Sequence, residues 1–264
     1  MANVHANGID IYYERRGDGP RLLFINGSGA TLATTAFLVD VFAARFDVAS
    51  HDQRGLGHTS APPGPYSMRD YAADAIAVLD DLDWDRCAVV GISFGGMVAQ
   101  ELAVTVPERV ERLVLACTSS GGAGEPSYPL HELTALGDAE RDALSMQLMD
   151  SRFDAAWLAA HASDRFLADA MTQGRRVEKT DEQRRGEYEQ LQARRFHDVF
   201  ERLSHITAPT LVASGRYDGI APPRNGQAIA AHIPGAEYRE YEGGHAFFAQ
   251  DRVAFPEILD FLAS

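Results

Sequence analysis

Apolar positions along the chain fall into two patterns. Near the start, residues 9–12 alternate as Ile9-Asp10-Ile11-Tyr12 and follow a Val4-His5-Ala6 stub across Asn7-Gly8, a pair suited to the tight turn of an antiparallel hairpin. Beyond Pro20 the alternation stops. Residues 22–25, 46–49, 87–92, 113–116 and 211–213 are short apolar runs, as expected of parallel strands covered on both faces. Helical spacing occupies residues 35–44, 68–82, 94–105 and 224–232 between them. Repeated βα units of this kind predict an α/β protein with an open, mostly parallel sheet and helices on both faces.

The rhythm breaks after Cys117. TSSGGAGEPSYP is rich in turn formers, and residues 130–203 then read as helical with no strand candidate. This predicts an inserted helical cap over residues 121–207, with 1–120 and 208–264 forming the core. Three helices are expected in the cap, over 138–150, 154–171 and 181–203, each starting near an acidic residue that favours a helix N-terminus. Phe153, Trp157, Phe166, Met146 and Met149 either pack the cap onto the core or line a pocket.

The glycines cluster around one hydroxyl. Gly91-Ile92-Ser93-Phe94-Gly95 is G-x-S-x-G, set between a β-branched apolar run and a helical one, which is the context of a nucleophile elbow. The turn is so tight that the residues two before and two after the serine must lack side chains. No phosphate-binding glycine pattern can be read through Gly91–Gly96. Serine needs a base to take its proton and a carboxylate to orient that base. His245, in Gly243-Gly244-His245-Ala246, follows the expected last strand, and Asp218 ends the strand that begins near Leu211. Ser93, Asp218, His245 is the chain order of this arrangement. Asp52 is the rival carboxylate, expected instead to tie down its own loop through Arg54. His51 and His58 flank that loop, and His161, His197 and His205 fall in the cap as structural histidines.

An oxyanion hole is expected from the N–H groups of Phe94 and Ser28, the latter in the Gly-rich loop Asn26-Gly27-Ser28-Gly29-Ala30. Asn26, Gly27, Trp157 and Phe247 are taken as candidate substrate contacts.

Composition narrows the partners. The 264 residues carry 38 acidic and 24 basic side chains, a formal net charge of -14, the wrong sign for a nucleic-acid backbone or an anionic membrane. No apolar run approaches the roughly 18 residues of a membrane span, and the chain is expected to be soluble and cytoplasmic. Homodimerisation stays open. The two cysteines, Cys87 and Cys117, lie at opposite ends of neighbouring strands and read as buried core thiols. No His and Cys cluster has metal-ligand spacing, so neither metal nor cofactor is expected.

Together these residues resemble the α/β-hydrolase superfamily over essentially the whole chain, through the elbow, residues 52–60 (DQRGLGHTS), the Gly215 to Asp218 turn and Gly244-His245. Residues 61–67 (APPGPYS) and the stretch GISFGGMVAQELAVTVPERVERLVLACT look most like the branch of 3-oxoadipate enol-lactonases and cofactor-free haloperoxidase-like esterases. The resemblance implies a small-molecule ester or lactone substrate and an acyl-enzyme route, and a modest, largely apolar acyl or lactone group is what the sequence supports. Where the superfamily usually has His-Gly before the oxyanion donor, this chain has Asn26-Gly27, which spares a backbone donor but changes what anchors the loop. Enol-lactonases act on a carboxylated substrate. Arg194 and Arg195 would either meet such a group or form a solvated helix face beside Glu187, Glu189 and Asp198. Three rivals share the scaffold: a carbon-carbon bond hydrolase, although Ala246 stands where such proteins usually carry tryptophan; a perhydrolase or haloperoxidase; and a ligand receptor. Epoxide hydrolases and dehalogenases resemble the fold but carry aspartate at the position of Ser93.

Overall fold

A computed structural model of the chain describes residues 2–175 and 179–264. Eight strands form one sheet: β1 (Ala2–Ala6), β2 (Ile9–Arg16), β3 (Arg21–Ile25), β4 (Asp47–His51), β5 (Cys87–Ile92), β6 (Val110–Ala116), β7 (Thr210–Gly215) and β8 (Glu237–Tyr241). Their order is β1-β2-β4-β3-β5-β6-β7-β8. The β1–β2 hairpin is antiparallel, with Ala6 opposite Ile9, and β2 meets β4 antiparallel; every pair from β4 to β8 is parallel. The alternating start and the unbroken apolar runs thus mark the antiparallel edge and the parallel centre.

Each central strand feeds two cores. In β3, Leu22 and Phe24 join Leu38, Val39 and Phe42 of α1 (Leu32–Ala43) on one face, while Leu23 and Ile25 join residues of α2 (Met68–Asp81) and α3 (Phe94–Thr105) on the other. The period of two in a strand enforces that division. Ser67 and Asp70 start α2 with a reciprocal capping box. Both cysteines are buried and unbridged.

All the chain between β6 and β7 that is described is helical or irregular. It holds α4 (Asp138–Met149), α5 (Ala155–Ala160), α6 (Ala162–Arg175) and α7 (Asp181–Arg195). Two of the expected helices are shorter than their patterns. The one over 154–171 is divided at His161, whose φ of -121 and ψ of 89 leave the helical region, and the two halves become α5 and α6. The one over 181–203 stops at Arg195. There Asp198 bridges to Gly121 and the Val199 N–H bonds to the Ser120 carbonyl, so the backbone is drawn back to the sheet before a short 3-10 turn. Arg202 then clamps Glu101 of α3 with two hydrogen bonds of 2.9 and 2.7 Å. Past β7 the chain forms α8 (Pro223–His232), β8, the single turn α9 (Phe247–Gln250) and α10 (Ala254–Ala263). Ala254, Ile258, Phe261 and Leu262 bury one stripe of α10 against the sheet. Among the described residues no helix is long and apolar enough to cross a membrane.

Candidate active site

Ser93 sits between β5 and α3 with φ 56 and ψ -116, a conformation that side chains other than glycine rarely adopt. The neighbouring glycines explain how the chain tolerates it. A Cβ on Gly91 would lie 2.4 Å from the Gly95 carbonyl oxygen, and one on Gly95 only 2.1 Å from that of Ile25. The turn is pinned by the Ser93 N–H to the Ala116 carbonyl at 2.8 Å and by the Thr118 hydroxyl to the Ser93 carbonyl at 2.8 Å.

The strand ends of β7 and β8 bring in the other two groups. His245 Nδ1 lies 2.7 Å from Asp218 Oδ2, and Nε2 lies 2.8 Å from Ser93 Oγ. A carboxylate can only accept, so the Asp218 contact fixes the proton on Nδ1 and leaves Nε2 to accept from the serine hydroxyl. Asp218 is fully enclosed, and its other oxygen accepts the N–H groups of Ile220 at 2.8 Å and Ala221 at 2.9 Å. The helical segment between β6 and β7 holds both loops. At the end of α4, where carbonyls lack partners inside the helix, Leu148 accepts the Gly219 N–H at 3.0 Å and Met149 the His245 N–H at 2.6 Å.

The Gly-rich loop after β3 lies beside the serine: a Cβ on Gly27 would stand 3.4 Å from that of Ser93. Phe94 is the first residue of α3, where an N–H has no carbonyl within the helix to bond, while its ring packs edge-on against Tyr71 at 4.9 Å. Gln53 Nε2 donates to the Asn26 carbonyl at 2.7 Å. The Asn26 side chain and the Ser28 hydroxyl are buried and find no partner among the described residues, so this loop offers unused polar groups next to Ser93.

Trp157 donates Nε1–H to Asp164 at 2.7 Å, stacks on His161 and is covered by Arg152, and Asp164 in turn accepts from Gln250, which holds the Gly244 N–H beside His245. Three sequence expectations need correcting. Phe247 is fully buried, stacked on Tyr241 at 5.1 Å, because the turn of α9 points it into the core. Asp52 does tie down its loop, but through the N–H groups of Leu32 and His58 at 2.7 and 2.9 Å; Arg54 goes to Asp74. Arg194 is not a solvated face. It is buried and donates one bond, from Nη2 to the Ser127 hydroxyl at 2.6 Å, while Nη1 finds no partner among the described residues. Burial pulls its pKa down to about 10, against the attraction of nearby Asp218 and Cys117, so it stays a cation at neutral pH. It borders a cavity of roughly 220 Å³ whose walls include Met97, Ser119, Tyr128 and His197.

Of the other histidines, His51 and His197 are buried, and His58 lies on the surface edge-on to Tyr12 at 4.9 Å. The ligand atoms of Cys117, Asp218 and His245 lie within 4.8 Å of one another. That set fits a metal poorly: burial raises the Cys117 thiol well above its ordinary range, and Nδ1 of His245 is engaged with Asp218.

A serine on a strained strand-to-helix turn, with a histidine and an aspartate delivered by later strands of one mostly parallel sheet, is the arrangement of the α/β hydrolases. Residues 20–251 match the family described as alpha/beta hydrolase fold, and the chain belongs to that family. A protein of Variovorax paradoxus named "Putative carbamate hydrolase RutD" is 31% identical over 97% of this chain and 97% of its own length. The 3-oxoadipate enol-lactonase 2 of Acinetobacter baylyi is 27% identical over 93% and 89%. An enol-lactonase from Burkholderia xenovorans superposes over 100% of both chains with a TM-score of 0.81 at 23% identity, a likeness of fold.

Proposed function

We propose that this protein is a serine hydrolase that opens a carboxylic ester or lactone through an acyl-enzyme, with residues 121–207 as its cap. The observation that carries the reading is the unbroken line from Ser93 Oγ through His245 to Asp218, at 2.8 and 2.7 Å. Ser93 Oγ attacks the carbonyl carbon as Nε2 of His245 takes its proton. Asp218 holds the ring and stabilises the imidazolium. The N–H groups of Phe94 and Ser28 receive the charge that develops on the carbonyl oxygen. His245 then returns the proton to the leaving oxygen, and water releases the acyl group by the same path.

The substrate is small, and the walls of its site are less apolar than the aromatic and methionine residues of the cap suggest. Asn26 and Gly27 border the reacting carbonyl, and Nη1 of buried Arg194, which has no hydrogen-bond partner among the described residues, favours a substrate carrying a carboxylate, since a buried donor left unpaired is costly. A carbamate carbonyl needs the same parts, and the name of the Variovorax relative supports it as a second reading.

Hydrolysis of nitrophenyl esters, lactones and carbamates, each with and without a carboxylate, by the native protein and by Ser93→Ala tests both readings. Turnover that requires Ser93 is the expected result, and its ranking across the panel assigns the bond. A folded protein that turns over none of them sinks both the ester or lactone reading and the carbamate reading, in favour of a carbon-carbon bond hydrolase or a receptor.

A further inference from the structure

Helix α7 reaches the loop that carries the Ser28 N–H. Gln190 Oε1 accepts the N–H of Gly29 at 2.8 Å, and Gln190 is 1% exposed. Gly29 has φ +68, so this loop uses a left-handed residue beside Ser28 and has glycine on both sides of it. Such a backbone holds a donor steady only if it is tied at both ends. One tie is the Gln53 amide on the Asn26 carbonyl, supplied by the core; the other is Gln190, supplied by the inserted segment.

The seat of α7 sets where Gln190 falls. Gly186, one turn earlier on the same buried face, touches the loop after β4 so closely that a Cβ there would stand 2.0 Å from the Gly55 carbonyl oxygen. Arg185 reinforces the contact by donating to the Ala61 carbonyl at 2.7 Å. With Gly186 at the surface of the core, the i+4 position brings Gln190 onto Gly29.

We propose that Gln190 is a positioning residue for the oxyanion loop, and that the seating of Gly186 on Gly55 is what lets the inserted segment supply it. The proposal rests on the serine-hydrolase reading above. Gln190 touches no reacting atom; its effect passes through Gly29 to the N–H of Ser28, and is felt when negative charge grows on the carbonyl oxygen and not when substrate first binds.

Gln190→Met keeps the side-chain length and removes the acceptor. It is expected to lower kcat about tenfold with KM within about twofold, and to weaken an alkyl boronic acid, which forms a tetrahedral adduct on the serine, by a similar factor. Gly186→Ala leaves the Gln190 amide intact but lifts α7, and should give the same split between kcat and KM. The double variant should be no worse than the worse single variant, because both act on one contact. Unchanged kcat and boronate affinity in folded Gln190→Met overturn the proposal, as does a loss confined to KM, which would make Gln190 a substrate contact. Additive losses in the double variant overturn the link to Gly186. Should Gln190→Met fail to fold, Gly186→Ala carries the test with the same criteria. A native protein that neither binds the boronate nor loses activity in Ser93→Ala fails at the earlier step, and overturns the hydrolase reading and this proposal together.

Discussion

Arg54 and Asp74 form a two-point ion pair inside the protein: Nε and Nη2 of the guanidinium donate to the two carboxylate oxygens at 2.7 and 2.8 Å, with the side chains 7% and 0% exposed. The pair joins the loop after β4 to α2. Because removing one partner strands a buried charge, Arg54→Met should destabilise the fold by about 3–5 kcal/mol, and Arg54→Met with Asp74→Leu should recover much of that loss. Urea unfolding of the two variants measures it; a double variant weaker than the single one would mean that the pair holds the loop by more than its charges.

At the site itself, Ser93→Ala should lower kcat/KM by at least about 10³-fold, and Asp218→Asn by a loss of similar order, with melting temperatures close to the native value for the first. Asp218→Asn removes the charge that sets the proton on Nδ1 and leaves the Ile220 and Ala221 N–H groups an oxygen to donate to. Steady-state kinetics on the best substrate of the panel decides both. An active Asp218→Asn would point to another carboxylate.

Arg194→Gln keeps a hydrogen-bond donor but removes the charge. For a carboxylated ester KM should rise about tenfold or more relative to the matched neutral ester. Equal effects on the two esters would show that the guanidinium supports the walls of the cavity and does not meet substrate.

Stability should weaken on the acid side. Burial first, then the cations Arg194 and Arg202, push the pKa of His197 down to about 3, and burial lowers His51 in the same direction despite Asp74 and Asp52. Between the unfolded value of about 6.5 and the folded one, the unfolded chain binds a proton that the folded chain refuses. The contribution is therefore intact above about pH 6.5 and is lost as pH falls, at up to about 1.4 kcal/mol per pH unit for each such group. Urea midpoints at pH 7.5, 6 and 5 should show the slope, and His197→Asn should flatten it; a slope that His197→Asn leaves unchanged assigns the acid sensitivity elsewhere.

What could be read from the residues alone follows from the range of the forces. The elbow at Ser93 and the strand ends that carry Asp218 and His245 are specified locally, by glycines at turns and by apolar runs, so their order and placement on the sheet were legible. Arg54 was assigned to its neighbour Asp52 because adjacency in sequence was the available guide, whereas its partner lies 20 positions away on α2. Phe247 follows His245 and looked like a site wall; the direction of one short turn, set by tertiary packing on Tyr241, sends it the other way.

Helix α7 was the hardest to read. DEQRRGEYEQLQARR is so polar that it suggests an exposed helix all round, yet Gly186, Gln190, Ala193 and Arg194 form a buried face. The i, i+4, i+8 spacing of a glycine, a glutamine and an arginine was the one available signal of that face. Polar side chains bury there because they meet backbone and a cavity instead of apolar neighbours, and such partners leave no trace in a hydropathy pattern.

Ser93 and His245 are 152 positions apart in the chain and 2.8 Å apart in space. On the ribosome, Ser93 and its turn emerge early, among strands that can already pair, but they lack His245 and Asp218 until β7 and β8 have been synthesised and have docked. On the serine-hydrolase reading proposed above, the nascent chain carries a chemically silent serine until both strands are in place. Two fragments divided inside residues 121–207 should behave alike: each inert by itself, and active only when mixed.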